Sequence, residues 1–300
     1  MKRIFPILFL TFSLLSVSYT QSLDYKLRDG NIFDKGLSLE MESASTNPEL
    51  KKLRPLIGNW NVKIRKATSD STVHESNGIA FFYYQNRGHS VAEKVHVQNY
   101  DGEENELNTI TFYAFNLAAK RWNIGIANSY LESVAIFDGA EDNGKLILKN
   151  AVRSNGGVDI IEKRLTIDYT SKNLIKTLLE TSVLHSNNWK IMEERTYTAN
   201  KEIDQSFFYN ESFGTAQPNR VPESAEFDFL IGDWTAHQEF TFPNGQTAKW
   251  PSNGSGVYVL NGNAVMEHNW YEVDSSLPEA ATTIVRLYNR VERRWECLYL

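Results

Sequence analysis

Residues 53–60 read LRPLIGNW and residues 227–234 read FDFLIGDW, so the chain writes Leu-Ile-Gly-(Asn/Asp)-Trp twice, 174 residues apart. Three further landmarks follow each copy in the same order. Ser76-Asn77-Gly78 is matched by Ser252-Asn253-Gly254, and Val91-Ala92-Glu93-Lys94 by Val265-Met266-Glu267-His268. Phe115 to Trp122 (FNLAAKRW) is matched by Tyr288 to Trp295 (YNRVERRW). The two tryptophans that bracket each set lie 62 and 61 residues apart. Ordered landmarks at nearly equal spacing mark an internal duplication. A fold for one copy must therefore serve, at least in part, for the other. The first copy runs on beyond Trp122 to about residue 200, whereas the second stops at Leu300. The second unit is read as truncated, since half a barrel would leave an edge strand open.

After each Gly-x-Trp the apolar residues fall at period two. Trp60, Val62 and Ile64 alternate with Asn61, Lys63 and Arg65, and Val91, Glu93, Val95 and Val97 alternate with Ala92, Lys94, His96 and Gln98. Further strands are predicted over 77–86, 108–116, 121–128, 131–138, 145–150, 159–168, 173–182 and 188–197. Turn signals stand at Asp101-Gly102, Asp138-Gly139, Asn143-Gly144 and Asn155-Gly156-Gly157. A short helix is predicted before Trp60, with Asn47 as its N-cap and Pro48 as its first residue. Ser224 is assigned the matching cap in the second copy. About ten strands with tight turns and little helix predict an all-β, antiparallel up-and-down barrel, because closure removes the edges. A two-sheet sandwich is the alternative.

The predicted organisation has five parts. Residues 1–20 carry a basic start (Met1-Lys2-Arg3) and an apolar run from Ile4 to Val17 that is short for a bilayer span, followed by small residues. This reads as a secretory signal peptide and implies an exported protein, secreted or periplasmic. Residues 21–45 are a polar lead-in, 46–200 the barrel, 201–223 a linker with Gly214, Pro218 and Pro222, and 224–300 the first half of a second barrel. A net charge of −6 without a basic block argues against nucleic-acid binding. The lone Cys297 rules out an internal disulfide framework and is expected to be a small buried hydrophobe.

The phrase Phe227-Asp228-Phe229-Leu230-Ile231-Gly232-Asp233-Trp234, with Glu267, Asn289 and Trp295 behind it, resembles the calycin superfamily of lipocalin-like and fatty-acid-binding-like barrels. It is most similar to uncharacterised lipocalin-like bacterial domains that open Phe-Asp-Phe-x-x-Gly-x-Trp. Glu93, Asn116 and Trp122 fit the same description in the first copy, which has Leu53-Arg54-Pro55 in place of the aromatic opening. The resemblance implies a barrel with a cavity for a small apolar ligand. It also implies that a basic side chain of the last strand, here Arg195, packs across Trp60 and closes the barrel end. Gly58, Trp60, Arg195, Gly232 and Trp234 are the structural barrel-end residues on this reading.

Glu93 shares its parity with valines, so its carboxylate is expected on the apolar side, where it needs a partner. Three roles remain open: an ion pair or hydrogen bond to an inward Arg or Tyr, an anchor for a ligand, or a general base. Glu267 repeats the pattern on a face expected to be wetter. Trp60, Trp122, Glu93 and Glu267 are the candidate ligand-binding residues. Asn116 and Asn289 are expected in Asx turns. The histidines show no metal spacing, and there is no Gly-x-Ser-x-Gly elbow or phosphate loop, so no metal, cofactor or catalytic set is predicted. Binding of a small, mainly apolar molecule is the leading function. A filled, non-catalytic interaction module is the first alternative, and a hydrolase or isomerase using Glu93 the second.

Overall fold

The computed structural model describes residues 47–67, 72–85, 89–100, 105–153, 160–202, 214–241, 244–271 and 281–299. The signal peptide and lead-in assigned to residues 1–45, linker residues 203–213, and the Asp101-Gly102 and Asn155-Gly156-Gly157 turns lie outside them. Among the described residues no helix is long and apolar enough to cross a membrane.

The chain enters through α1 (Pro48–Lys51), where the Asn47 side chain accepts a hydrogen bond from the Glu49 backbone N–H at 3.1 Å and Pro48 opens the turn, as expected. A 3-10 turn, Arg54–Leu56, follows and ends at Ile57. Ten antiparallel strands come next: β1 (Gly58–Ala67), β2 (Val73–Gln85), β3 (Ser90–Val97), β4 (Leu107–Asn116), β5 (Arg121–Asn128), β6 (Ser133–Asp142), β7 (Lys145–Arg153), β8 (Ile160–Ser171), β9 (Leu174–Val183) and β10 (Lys190–Ala199). Each pairs with its neighbour in sequence, and β10 pairs back onto β1, so the barrel is closed. The predicted up-and-down barrel is the fold observed.

Period two places one side of every strand in the lumen. Trp60, Val62, Ile64, Phe82, Tyr113 and Trp122 lead the buried inner cluster. The Asn143-Gly144 turn forms as predicted, both residues taking positive φ. Asp138-Gly139 does not turn: it lies within β6, where Gly139 is needed because a Cβ there would stand 2.0 Å from the Ile147 carbonyl oxygen.

The second sheet contains β11 (Gly232–Thr241), β12 (Thr247–Val259), β13 (Ala264–Tyr271), β14 (Ala281–Asn289) and β15 (Arg294–Tyr299), antiparallel and open in sequence order. Its entry also corrects the expectation for Ser224. Pro222–Ala225 forms a 3-10 turn capped by the backbone of Val221, with Ser224 inside it, because Pro222 starts the turn two residues earlier. A second 3-10 turn, Asp228–Leu230, then leads to Gly232.

The two sheets pack back to back. Phe81, Tyr83, Ala92, Ile110 and Phe112 on the outside of β2–β4 form one cluster with Val259, Met266, Val285, Leu287 and Leu298. This explains the run Phe81-Phe82-Tyr83-Tyr84, which breaks the alternation: both faces of β2 are buried there. Gly125 lets the sheet approach, since a Cβ on it would meet Leu298 Cδ1 at 2.1 Å. Cys297 faces the other way from Leu298 and is exposed, not buried as expected, because that parity points away from the barrel.

Candidate functional site

The site is built from side chains that strands β3, β4 and β10 aim into the lumen. Glu93 on β3 is opposite Phe82 and Thr111, and it is 3 % exposed. Its two oxygens accept from two tyrosines, Tyr113 Oη at 2.8 Å and Tyr197 Oη at 2.7 Å. Of the three roles left open by the sequence, the observed contacts are hydrogen bonds to inward tyrosines. Burial, then the Glu93 charge, pushes both phenols well above their ordinary pKa, so both remain donors.

The chain of contacts continues along β10. Arg195 lies beside Tyr197, and its Nε donates to Glu193 Oε1 at 2.6 Å, while Tyr100 Oη donates to Glu193 Oε2 at 2.7 Å. Burial alone would raise the Glu193 pKa. The Arg195 charge, the bonds from Tyr100 and Arg195, and the Lys66 charge outweigh it and hold the carboxyl below its usual range. Lys66 sits 4.5 Å from the Tyr100 ring centroid and 4.7 Å from that of Tyr130, and these two rings meet edge-on. A polar seam therefore runs from Glu93 deep in the barrel to Lys66 at the end of β1.

Arg195 is not over the Trp60 ring. It pairs across from Ile64, whereas Trp60 pairs with Ala199, four residues further along β10 or about 13 Å away on the strand. The nearby carboxylate and phenol hold the guanidinium more strongly than a ring face would. Trp60 is buried at the α1 end, where its Nε1 donates to the Leu56 carbonyl at 2.7 Å. Trp122 is buried on β5, paired with Gly139 on β6 and edge-on to Phe115. Neither tryptophan touches the Glu93 seam in the contacts described. A cleft of about 530 Å³ outside this end is lined by α1 residues and Trp122. Gly58 and Gly232 take φ of +135° and +107°, which accounts for the glycine in both opening phrases.

Glu267 occupies the matching place on β13 but is held differently. Arg286 on β14 grips it through Nη1 at 2.8 Å and Nη2 at 2.9 Å, and Asn269 donates at 3.1 Å. The Phe227 ring lies 4.9 Å from the Arg286 guanidinium and packs edge-on against Trp295. The face expected to be wetter is thus dry at Val265, Glu267 and Asn269, because the segment leading to Gly232 folds over it. Trp234 lies on this face against Gly254. Asn116 and Asn289 both cap turns through their side-chain oxygens, as predicted.

The inner wall is unevenly sealed. Many inward residues of β1–β4 are dry, including Val62, Phe82, Val95 and Tyr113, whereas Lys66 and Phe115 are partly buried. On β5, β6, β8, β9 and β10 the inward Ile126, Ala135, Lys163, Leu179, Glu193 and Arg195 keep partial solvent contact. The side chains of Glu193 and Arg195 are 12 % and 13 % exposed although they lie within the barrel. Glu193 pairs with Lys66 at the end of β1 and with Leu179 on β9, and Ile126 pairs with Ala135, so these residues lie toward one end of their strands.

Sequence reasoning missed Tyr113, Tyr197, Glu193 and Tyr100 as partners of the seam. Their parity was readable, but which strands face each other across a lumen is not a local property.

No family model matches the chain, and no curated protein matches it. Among solved structures it is similar to Rv2717c from M. tuberculosis (9 % identity, TM-score 0.36, covering 51 % of this chain and 98 % of that one). It is also similar to the S-type phycobiliprotein lyase CPES from Guillardia theta (12 %, 0.34, 51 % and 93 %). A protein of unknown function from the DUF3598 family of Nostoc punctiforme is a third (9 %, 0.25, 81 % and 75 %). The barrel assignment rests on the pairing of β10 with β1 and not on these likenesses.

Proposed function

We propose that the barrel binds a small, mainly apolar molecule, with the Glu93 seam as its polar anchor. The observation that carries this is the partial solvent contact of inward Ile126, Ala135, Leu179, Glu193 and Arg195 beside a buried inner cluster that holds Glu93. An apolar wall with a few convergent polar groups is the usual make-up of a ligand site. Trp60 and Trp122 belong to the α1 end and act as packing, and Glu267 serves the second sheet through Arg286. The shared strand order of β1–β5 and β11–β15, with equal lengths in the first three strands of each, supports a duplication, with barrel and second unit divided near residues 201–223. The basic-then-apolar first 20 residues support export.

Titration with Nile red, a neutral solvatochromic dye, and native mass spectrometry of the purified chain test the reading. Saturable binding with a blue-shifted emission is expected. Absence of both dye binding and a co-purified ligand would reject it in favour of a filled interaction module, the reading favoured by the dry aromatic wall of β2–β4. A catalytic role for Glu93 has less support, because both its oxygens already accept from tyrosines.

A further inference from the structure

Resting on the lumen reading above, we infer that the barrel end opposite α1 docks on a lipid bilayer, with an apolar rim set against the membrane surface and the mouth of the lumen facing it. In an up-and-down barrel every odd strand ends, and every even strand begins, at one end. The α1 end is shut, since Leu50, Leu53 and Leu56 are buried there with Trp60 and Trp122. The other end is different. Val73 opens β2, Ile160 opens β8, Val183 closes β9, Ile191 and Met192 lie in the first turn of pleat of β10, and Leu131 lies in the turn between β5 and β6. These six side chains are 36 % to 59 % exposed. Of the other exposed large apolar residues described on the barrel, Tyr130 belongs to the same end, and Leu117 and Ile136 lie elsewhere.

The register joins most of the six into one row. Ala67 pairs with Val73, and Lys66 with Glu193, so Val73 and Met192 flank the end of β1. Ile191 pairs with Glu180, and Val183 with Ile161, which carries the row over β9 to β8. Val183 shares the inward parity of Leu179, so the lumen wall itself meets water at this end. A soluble chain scatters exposed aliphatic residues singly, and a row of them marks a contact. Six half-exposed side chains offer on the order of 400 Å² of apolar surface, against roughly 800 Å² that a standard protein interface takes from each partner. Interfacial anchoring needs no complementary partner shape, only apolar side chains that enter the headgroup boundary. Trp189, in the turn between β9 and β10, stacks 4.3 Å from the Arg164 guanidinium, and an amphipathic ring beside an apolar rim suits a membrane–water boundary. Charges nearby are largely paired: Lys63 and Arg65 hold Glu75, Arg164 holds Glu180, and Arg195 holds Glu193. The contact is therefore with the apolar layer and not with lipid charge.

Flotation of the full chain with neutral phosphatidylcholine vesicles tests this. The chain is expected to float with them equally at low and high salt. Val183→Glu combined with Ile191→Glu is expected to lower the floated fraction about tenfold. Leu117→Glu, at the α1 end, is expected to leave it unchanged. Melting temperature and Nile red binding in vesicle-free buffer are expected to match the parent in both variants, because the altered residues are exposed. A parent chain that binds Nile red but stays off the vesicles would overturn the docking inference and leave the lumen reading standing. No Nile red binding by the parent would remove the lumen reading and this inference with it. Equal losses from the rim variant and Leu117→Glu, or flotation with anionic vesicles alone, would overturn the assignment to this rim. So would a parent that leaves the vesicles bare and instead forms a dimer that the rim variant abolishes, which would make the rim a protein contact.

Discussion

At the scale of single residues, the two Gly-x-Trp phrases have one backbone explanation. Each 3-10 turn ends in an extended isoleucine, and the next residue must swing the chain into the first strand with positive φ. A Cβ at Gly58 would touch nothing within 4 Å, so the demand is conformational and not steric crowding. Gly58→Ala is expected to cost about 1–3 kcal/mol, read as a lower urea midpoint with an unchanged slope. Tyr197→Phe removes one of two donors to a buried carboxylate. It is expected to destabilise by about 1.5–3 kcal/mol, while a cavity-neutral change such as Tyr130→Phe at the exposed rim shifts the midpoint little. Equal effects from the two tyrosines would mean that Glu93 does not depend on its phenol partners. Glu93 itself was legible from the sequence through its valine neighbours. Its partners were not, because Tyr197 is 104 residues away and reaches it only across the lumen.

At the scale of elements, the contact between β13 and the outside of β2 contains a polar cluster in an apolar interface. His268 Nε2 lies 2.6 Å from Gln85 Nε2, and its Nδ1 lies 2.8 Å from Thr283 Oγ1. A neutral imidazole fits both, accepting from the amide and donating to the hydroxyl. Burial, then the Lys94 charge, lowers the His268 pKa to about 3 from an ordinary 6.5. The sign follows directly. Below pH 6.5 the unfolded chain gains a proton that the folded imidazole refuses until about pH 3, so stability is full above 6.5 and falls as the pH drops through that window. Lys94, lowered to about 8 by burial, acts in the same direction at higher pH, with stability rising between 8 and 10.5. Unfolding free energies from urea titrations between pH 7 and 4.5 are expected to fall by up to about 1.4 kcal/mol per pH unit from His268, and His268→Gln is expected to flatten that slope. A slope unchanged in the variant would show that carboxylates elsewhere produce it. The run Phe81-Phe82-Tyr83-Tyr84 was the one sign in the sequence that β2 is covered on both sides. Alternation alone would have left its outer face to solvent.

At the scale of the whole molecule, the barrel and the open sheet share an apolar contact centred on Phe112, which is fully buried. Phe112→Ala is expected to cost about 3–5 kcal/mol. Amide exchange should quicken in β13 and β14, which pack there, more than in β8 and β9 on the far side; uniform quickening would mean that the two sheets unfold as one unit. The chain's local chemistry determined much by itself. Period two set the strands and the inward parity of Glu93, Asn143-Gly144 set the β6–β7 hairpin, and the repeated Gly-x-Trp set both strand entries, because each depends on neighbours within a few residues. Only the tertiary structure decided the rest. Closure of β10 on β1 brought Tyr197 to Glu93 and set Arg195 opposite Ile64 instead of Trp60. Docking of the second sheet decided which outward residues are dry and left Cys297 exposed. Both are contacts between segments far apart in sequence, and no local pattern encodes which surfaces will meet.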